Sequence, residues 1–147
     1  MFLDQITQTI IKFWVLFKRK RKGINIMVFR EKNLPEQCPP SDAIQEDVEP
    51  VYRFIENDTL QEIDFLSHRE RNLFYKPEKE CEAAAISFYT TEQAAEELRM
   101  KFKRKFKRKV LLKGKITKDC GIHKTEYYHL NLWLFQDVNM LNVFPAE

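Results

Sequence analysis

The sequence predicts a small α+β protein, with a mixed or antiparallel sheet and two helices preceded by an extended arm and an amphipathic amino-terminal helix. Three observations lead there. Short runs of strand formers, such as residues 51–55 and 127–135, alternate with apolar stripes at helical spacing. Twelve Phe and a hydrophobic content of 44% supply one core at a length of 147 residues, which excludes wholesale disorder. Pro35, Pro39, Pro40 and Pro50 set off a stretch of different character ahead of these elements. The expected division is therefore a basic amphipathic helix or extension over 1–26, a proline-containing arm or linker over 27–49, and a compact domain over 50–147.

At the amino terminus, Phe2, Leu3, Ile6, Ile10, Phe13, Trp14 and Phe17 fall on one helical face, and Lys18-Arg19-Lys20-Arg21-Lys22 follows directly. The stretch is too short and too polar to span a bilayer, which takes about twenty apolar residues. A secretory signal places its charge before the apolar run, and here the order is reversed. Two readings stay open: peripheral contact of residues 2–22 with an anionic membrane surface, or an extension ahead of Met27 that lies outside the working domain.

Residues 51–55 read as the first strand, ending in the turn-prone Asn57-Asp58. Thr59 with Glu62 matches a capping box, and Leu60, Ile63 and Leu66 predict a helix running to about residue 71. Residues 85–90 form a second strand. Thr91 caps the next helix, whose stripe is Ala94, Ala95, Leu98, Phe102 and Phe106. Residues 110–117 and 127–135 are the clearest strands. In the latter, Tyr128, Leu130, Leu132 and Leu134 alternate with Tyr127, His129, Asn131 and Trp133. Lys118-Asp119-Cys120-Gly121 reads as a turn that would join these two strands in an antiparallel hairpin.

Composition excludes several chemistries. Three Gly provide no phosphate-cradling glycine loop. Cys38, Cys81 and Cys120 are read as isolated thiols in a reducing compartment, and so the protein is expected in the cytoplasm. No Cys-x-x-Cys or His-x3-His pair supports a metal site, and no cofactor is expected. His68, His123 or His129 with Ser67 or a Cys could build a nucleophile pair, but no nucleophile elbow or neighbouring acid supports one.

Charge is distributed unevenly. Residues 1–30 carry a net +6, residues 31–97 a net −11 and residues 98–147 a net +8. The densest feature is the run from Arg99 to Lys109, where eight of eleven residues are basic and none is acidic. On a helix, Leu98, Phe102 and Phe106 would face the core. The cations Lys101, Lys103, Arg104, Lys105, Lys107, Arg108 and Lys109 would fan outward and neutralise phosphates by counterion release. The competing reading is a solvated face paired with the acidic middle segment. No RNA-binding sheet signature or helix-turn-helix pattern is present, so any nucleic-acid contact is expected to ignore base sequence.

A second constellation joins Tyr52 and Arg53 on the first strand, Ser87-Phe88-Tyr89-Thr90-Thr91 leading into a helix, and Glu126 near the last strand. This order resembles the layout of ADP-ribosyltransferases over three short fragments. The resemblance implies Arg53 on a dinucleotide phosphate, the Ser87 strand shaping a nicotinamide pocket, and Glu126 stabilising an oxocarbenium-like centre. Where that family carries Gln/Glu-x-Glu, this chain has Lys124-Thr125-Glu126.

The function expected is thus a small binding or accessory module that contacts an anionic partner, nucleic acid or protein, through the 99–109 run. Two alternatives come from other classes. One is a minimal ADP-ribosyltransferase-like enzyme using Arg53, Ser87 and Glu126. The other is a protein-interaction module of immunity or antitoxin type.

Overall fold

The computed structural model describes residues 28–144, so the helix expected over 1–26 lies outside the described residues. Five strands form one sheet in the order β3-β1-β2-β5-β4: β1 (Val48–Ile55), β2 (Ile86–Tyr89), β3 (Val110–Ile116), β4 (Gly121–Glu126) and β5 (His129–Leu134). Every pairing is antiparallel. Three short helices accompany it: α1 (Glu80–Ala83), α2 (Glu92–Lys101) and α3 (Lys103–Phe106).

The expected hairpin between residues 110–117 and 127–135 does not form. β3 pairs with β1, from Val48 opposite Ile116 to Ile55 opposite Val110. β5 lies between β2 and β4, and its hairpin partner is β4, which the sequence pattern missed. The turn between β4 and β5 is Tyr127-Tyr128, both at positive φ (49° and 67°). That left-handed conformation suits a two-residue hairpin turn, although such turns normally use Gly, Asn or Asp. With no such residue there, the alternation of β5 ran on through the turn.

β3 and β4 occupy opposite edges, yet only residues 117–120 separate them. Four inter-strand gaps of ~4.8 Å put flat edges ~19 Å apart. Five Cα steps reach at most ~17 Å. The sheet must therefore curl until its edges approach, and contacts at the seam show that it does. Ile44, just ahead of β1, bridges to His123 on β4, and the Lys118 amide donates to Asp47 Oδ1 at 2.7 Å.

Residues of the expected arm run against this curled sheet. Phe29 bridges to Phe135 with ring centroids 5.7 Å apart, and Arg30 Nη2 lies 2.7 Å from Glu70 Oε1. The cysteine reading needs correction. Cys38 and Cys81 form a disulfide across a sequence separation of 43, and the free Cys120 is buried. The arm folds back and brings the two Cα atoms to 5.6 Å, a proximity that spacing along the chain does not encode.

A helix over 59–71 is likewise not formed; a single 3-10 turn, Glu62–Phe65, stands in its place. Buried Asp64 accepts from the Gln61 amide at 2.8 Å and from the Glu56 amide at 2.9 Å, which pins the turn between two backbone donors. Leu66 then turns extended, at φ −88° and ψ 140°.

α2 starts as expected, with Thr91 Oγ1 accepting from the Ala94 amide at 3.1 Å. It breaks at Phe102 (φ −123°, ψ 59°), and α3 is one further turn. A continuous helix would set Lys101 over Lys105, Lys103 over Lys107 and Arg104 over Arg108, and like charges at that spacing destabilise it. The break separates two side chains expected to share one stripe. Phe106 is 7% exposed and packs 4.6 Å from Phe54, whereas Phe102 is 47% exposed.

The main core lies inside the curl, with Val51, Ile86, Phe88, Leu130, Leu132 and Leu134 meeting Phe65, Met140 and Phe144. The outer face carries a smaller cluster of Phe54, Ala95 and Phe106. Trp133, on the face of β5 opposite its three leucines, is buried and donates from Nε1 to the Cys81 carbonyl oxygen at 2.9 Å. Among the described residues no helix is long and apolar enough to cross a membrane.

Candidate functional site: a cationic cleft and the run that borders it

Strand alternation sorts β1 into two faces. Val51 and Arg53 point toward the main core, while Tyr52 and Phe54 point toward α2. Arg53 is half-buried and its guanidinium carbon sits 5.9 Å from the Phe65 ring centroid and 5.6 Å from that of Phe88. Its Nε donates to the Asp64 carbonyl oxygen at 2.5 Å and its Nη1 to that of Ser87 at 2.6 Å. Burial, reinforced by repulsion from Arg71, lowers this guanidinium to a pKa of about 10, against the opposing pull of Asp64. It stays charged at neutral pH.

Above Arg53 opens a cleft of about 460 Å³, a size suited to a small ligand. Its cationic wall is Arg53, Arg71, Lys105 and Lys109; its aromatic wall includes Phe54, Tyr89, Phe102 and Phe106. Ser87, His68, His129 and Glu82 complete the polar lining. On β5, His129 Nε2 is hydrogen-bonded to Ser87 Oγ at 3.0 Å and the ring lies 5.4 Å from that of Tyr89. Burial pushes His129 below the usual histidine range, opposed by nearby Glu126, and raises the Tyr89 hydroxyl, opposed by Arg53.

Glu56, at the end of β1, organises the cations beside the cleft. Lys109 Nζ lies 3.1 Å and Arg71 Nη1 3.3 Å from the same oxygen, Oε1. Burial alone would raise this carboxyl, but Lys109 and Arg71 outweigh it and hold the group below the ordinary glutamate range. Lys105 is lowered by burial and by repulsion from Lys109 and Arg71.

Of the sequence-derived trio, Arg53 and Ser87 meet in this cleft, and Glu126 does not line it. Glu126 is exposed at the end of β4, with its Oε1 3.0 Å from Lys124 Nζ. Arg71 and His129 are the residues that sequence reasoning did not assign to a site. Arg71 comes from the segment expected to be helix, and no local pattern links it to Lys109.

Along the 99–109 run the cations divide. Arg99 Nε pairs with Glu96 at 3.2 Å and stacks 4.9 Å from the Phe54 centroid, and Lys109 pairs with Glu56. Lys105 turns to the cleft. Lys101, Lys103, Arg104, Lys107 and Arg108 are exposed, and none makes an ion pair among the described residues. Also among the described residues, no group of three or more His, Cys, Asp or Glu side chains is arranged to hold a metal ion. Buried His123 is bonded through Nε2 to the Glu46 carbonyl oxygen at 2.8 Å.

Comparison of the chain with protein-family models, with curated proteins and with solved structures finds no match.

Proposed function

We propose that this domain is a binding module for a polyanion, with nucleic acid as the partner, engaged through Lys101, Lys103, Arg104, Lys107 and Arg108. One observation carries the reading: these five side chains are exposed and free of ion pairs among the described residues, while Arg99 and Lys109 beside them are held by Glu96 and Glu56. The acidic middle of the chain thus takes up the two ends of the run and leaves its outer side available. Contact of this kind reads the phosphate backbone rather than the bases. Binding of duplex DNA across a salt series tests it. If four phosphates are neutralised, log affinity falls with log salt at a slope of about −3.6. Reversing charge at Lys103, Arg104, Lys107 and Arg108 together is expected to weaken binding for every duplex. A flat salt response, or unchanged affinity after the reversal, ends this reading.

A second reading, an ADP-ribosyltransferase-like enzyme, is favoured by the meeting of Arg53 and Ser87 in one cleft. It requires a nicotinamide dinucleotide to bind there, with Glu126 brought to the reacting centre. Calorimetry that detects no heat at roughly millimolar dinucleotide removes it.

A further inference from the structure

We infer that the cleft is a site for a nucleoside monophosphate unit, with its phosphate against Arg71, Lys105 and Lys109 and its base beside Phe102, Tyr89 and His129. This does not rest on the polyanion reading, which uses the opposite side of the run.

The first argument is charge. Arg71 and Lys109 share a single carboxylate oxygen, Glu56 Oε1, and Lys105 lines the same cleft with no ion pair among the described residues. The Lys105 and Lys109 ammonium groups lie 5.2 and 5.5 Å from one ring centroid, that of Phe106, so the two cations flank the same aromatic wall. Three cations therefore meet one carboxylate. The other charged groups nearby do not cancel the excess. Arg53, the fourth cation of the cleft, is offset by Asp64, and Glu82 lies 3.8 Å from Lys79. A surplus of about two positive charges matches a phosphate monoester, which carries about −1.5 to −2 at neutral pH. Burial lowers the Lys105 ammonium first, and repulsion from Lys109 and Arg71 adds to it, in keeping with that crowding.

The second argument is the fixing of Arg71. Its Nη2 donates to the Ile63 carbonyl oxygen and its Nη1 faces Glu56, so the guanidinium is held in the cleft lining beside Lys109. A guanidinium held in place offers a phosphate charge-assisted hydrogen bonds at little ordering cost.

The third argument is the apolar half of the cleft. Phe102 is left half-exposed by the helix break, and Tyr89 and His129 present tilted rings 5.4 Å apart. Aromatic faces beside a phosphate site suit a stacked base rather than a bare anion. A free mononucleotide and the terminal nucleotide of a strand share this chemistry.

Calorimetry on the full chain tests the assignment, using AMP, adenosine and inorganic phosphate as probes. AMP is expected to bind at least tenfold more tightly than either of the others. Lys105→Glu is expected to weaken AMP at least tenfold and Lys105→Ala by less, both with an unchanged melt because the Lys105 side chain makes no ion pair or hydrogen bond among the described residues. Lys118→Glu, a charge reversal at the seam, leaves AMP binding as it was. A 5′-phosphorylated oligonucleotide that outcompetes its 5′-hydroxyl form and AMP identifies a strand end as the source, whereas AMP binding more tightly than both identifies the free nucleotide. No heat with millimolar AMP, equal binding of AMP and adenosine, phosphate binding as well as AMP, or indifference to Lys105→Glu would each overturn the site. Loss of duplex binding in the quadruple reversal with AMP binding retained separates this result from the polyanion reading.

Discussion

Arg53 on β1 donates from Nη1 to the carbonyl oxygen of Ser87 on β2 at 2.6 Å, so a charged side chain fastens two neighbouring strands at the floor of the cleft. The same guanidinium holds the Asp64 carbonyl oxygen, which ties the 3-10 turn to the sheet. Removing it would strand two part-buried acceptors. Arg53→Ala is expected to cost about 3 kcal/mol in urea unfolding, from two lost charge-assisted hydrogen bonds. A cost under about 1 kcal/mol would show that water replaces the guanidinium and that Arg53 is available to a ligand instead.

The disulfide predicts a clear redox effect on stability. Closing 43 residues of chain is worth about 4 kcal/mol by the loop-entropy relation. Cys38→Ser, or reduction of the parent, is expected to lower the melting temperature by roughly 10 °C while buried Cys120 stays unreactive in the folded state. An identical melt with and without reductant would show that the two thiols are not joined in solution.

Phe102 and Phe106 separate packing from exposure within one cationic run. Phe106→Ala removes a buried ring from the Phe54 and Ala95 cluster and is expected to cost about 3–5 kcal/mol. Phe102→Ala is expected to cost under about 1 kcal/mol, because nearly half of that residue is exposed. Equal costs in thermal or urea melts would mean that the helix continues through Phe102 in solution.

Acid sensitivity follows from His129. Its folded pKa lies below the unfolded value of 6.5, so below that pH the unfolded chain takes up the proton first. The contribution is present above pH 6.5 and declines as pH falls through the window between the unfolded and folded values. Glu56 adds a separate loss below its unfolded value of 4.5, since its folded carboxyl is depressed by Lys109 and Arg71. Unfolding free energy is therefore expected to drop on going from pH 7 to pH 5, and His129→Gln is expected to flatten that drop. A variant with the parent's slope would assign the proton elsewhere.

Gly121 is a close-approach position at the start of β4. A Cβ there would run into the backbone carbonyl of Trp133 on the paired strand, which cannot swing aside. At Gly114 the obstacle is the buried Phe144 ring instead. Gly121→Ala is expected to destabilise by about 1–3 kcal/mol through displaced strand pairing, measured by chemical unfolding. A neutral result would indicate that the β4–β5 ladder is loose at that end.

Much of the local structure was legible in the residues themselves. Thr91 caps α2 as its type and position require, and Leu130, Leu132 and Leu134 face the core at the period of a half-buried strand. The first strand and the cationic run were equally plain. Caps and periodicities act over a few residues, and a short window of sequence contains everything that they need.

Partnership was another matter. The Tyr127-Tyr128 turn carries no Gly or Asn to announce β4, and Thr59 with Glu62 promised a helix that buried Asp64 replaced with a single turn. Only the tertiary arrangement decided that β3 would pair with β1, that Cys38 would reach Cys81, and that Arg71 and Lys109 would share one carboxylate beside Lys105. Those contacts join residues tens of positions apart. Their formation depends on which closure buries the most apolar surface, a competition among whole arrangements of the chain that no local pattern records.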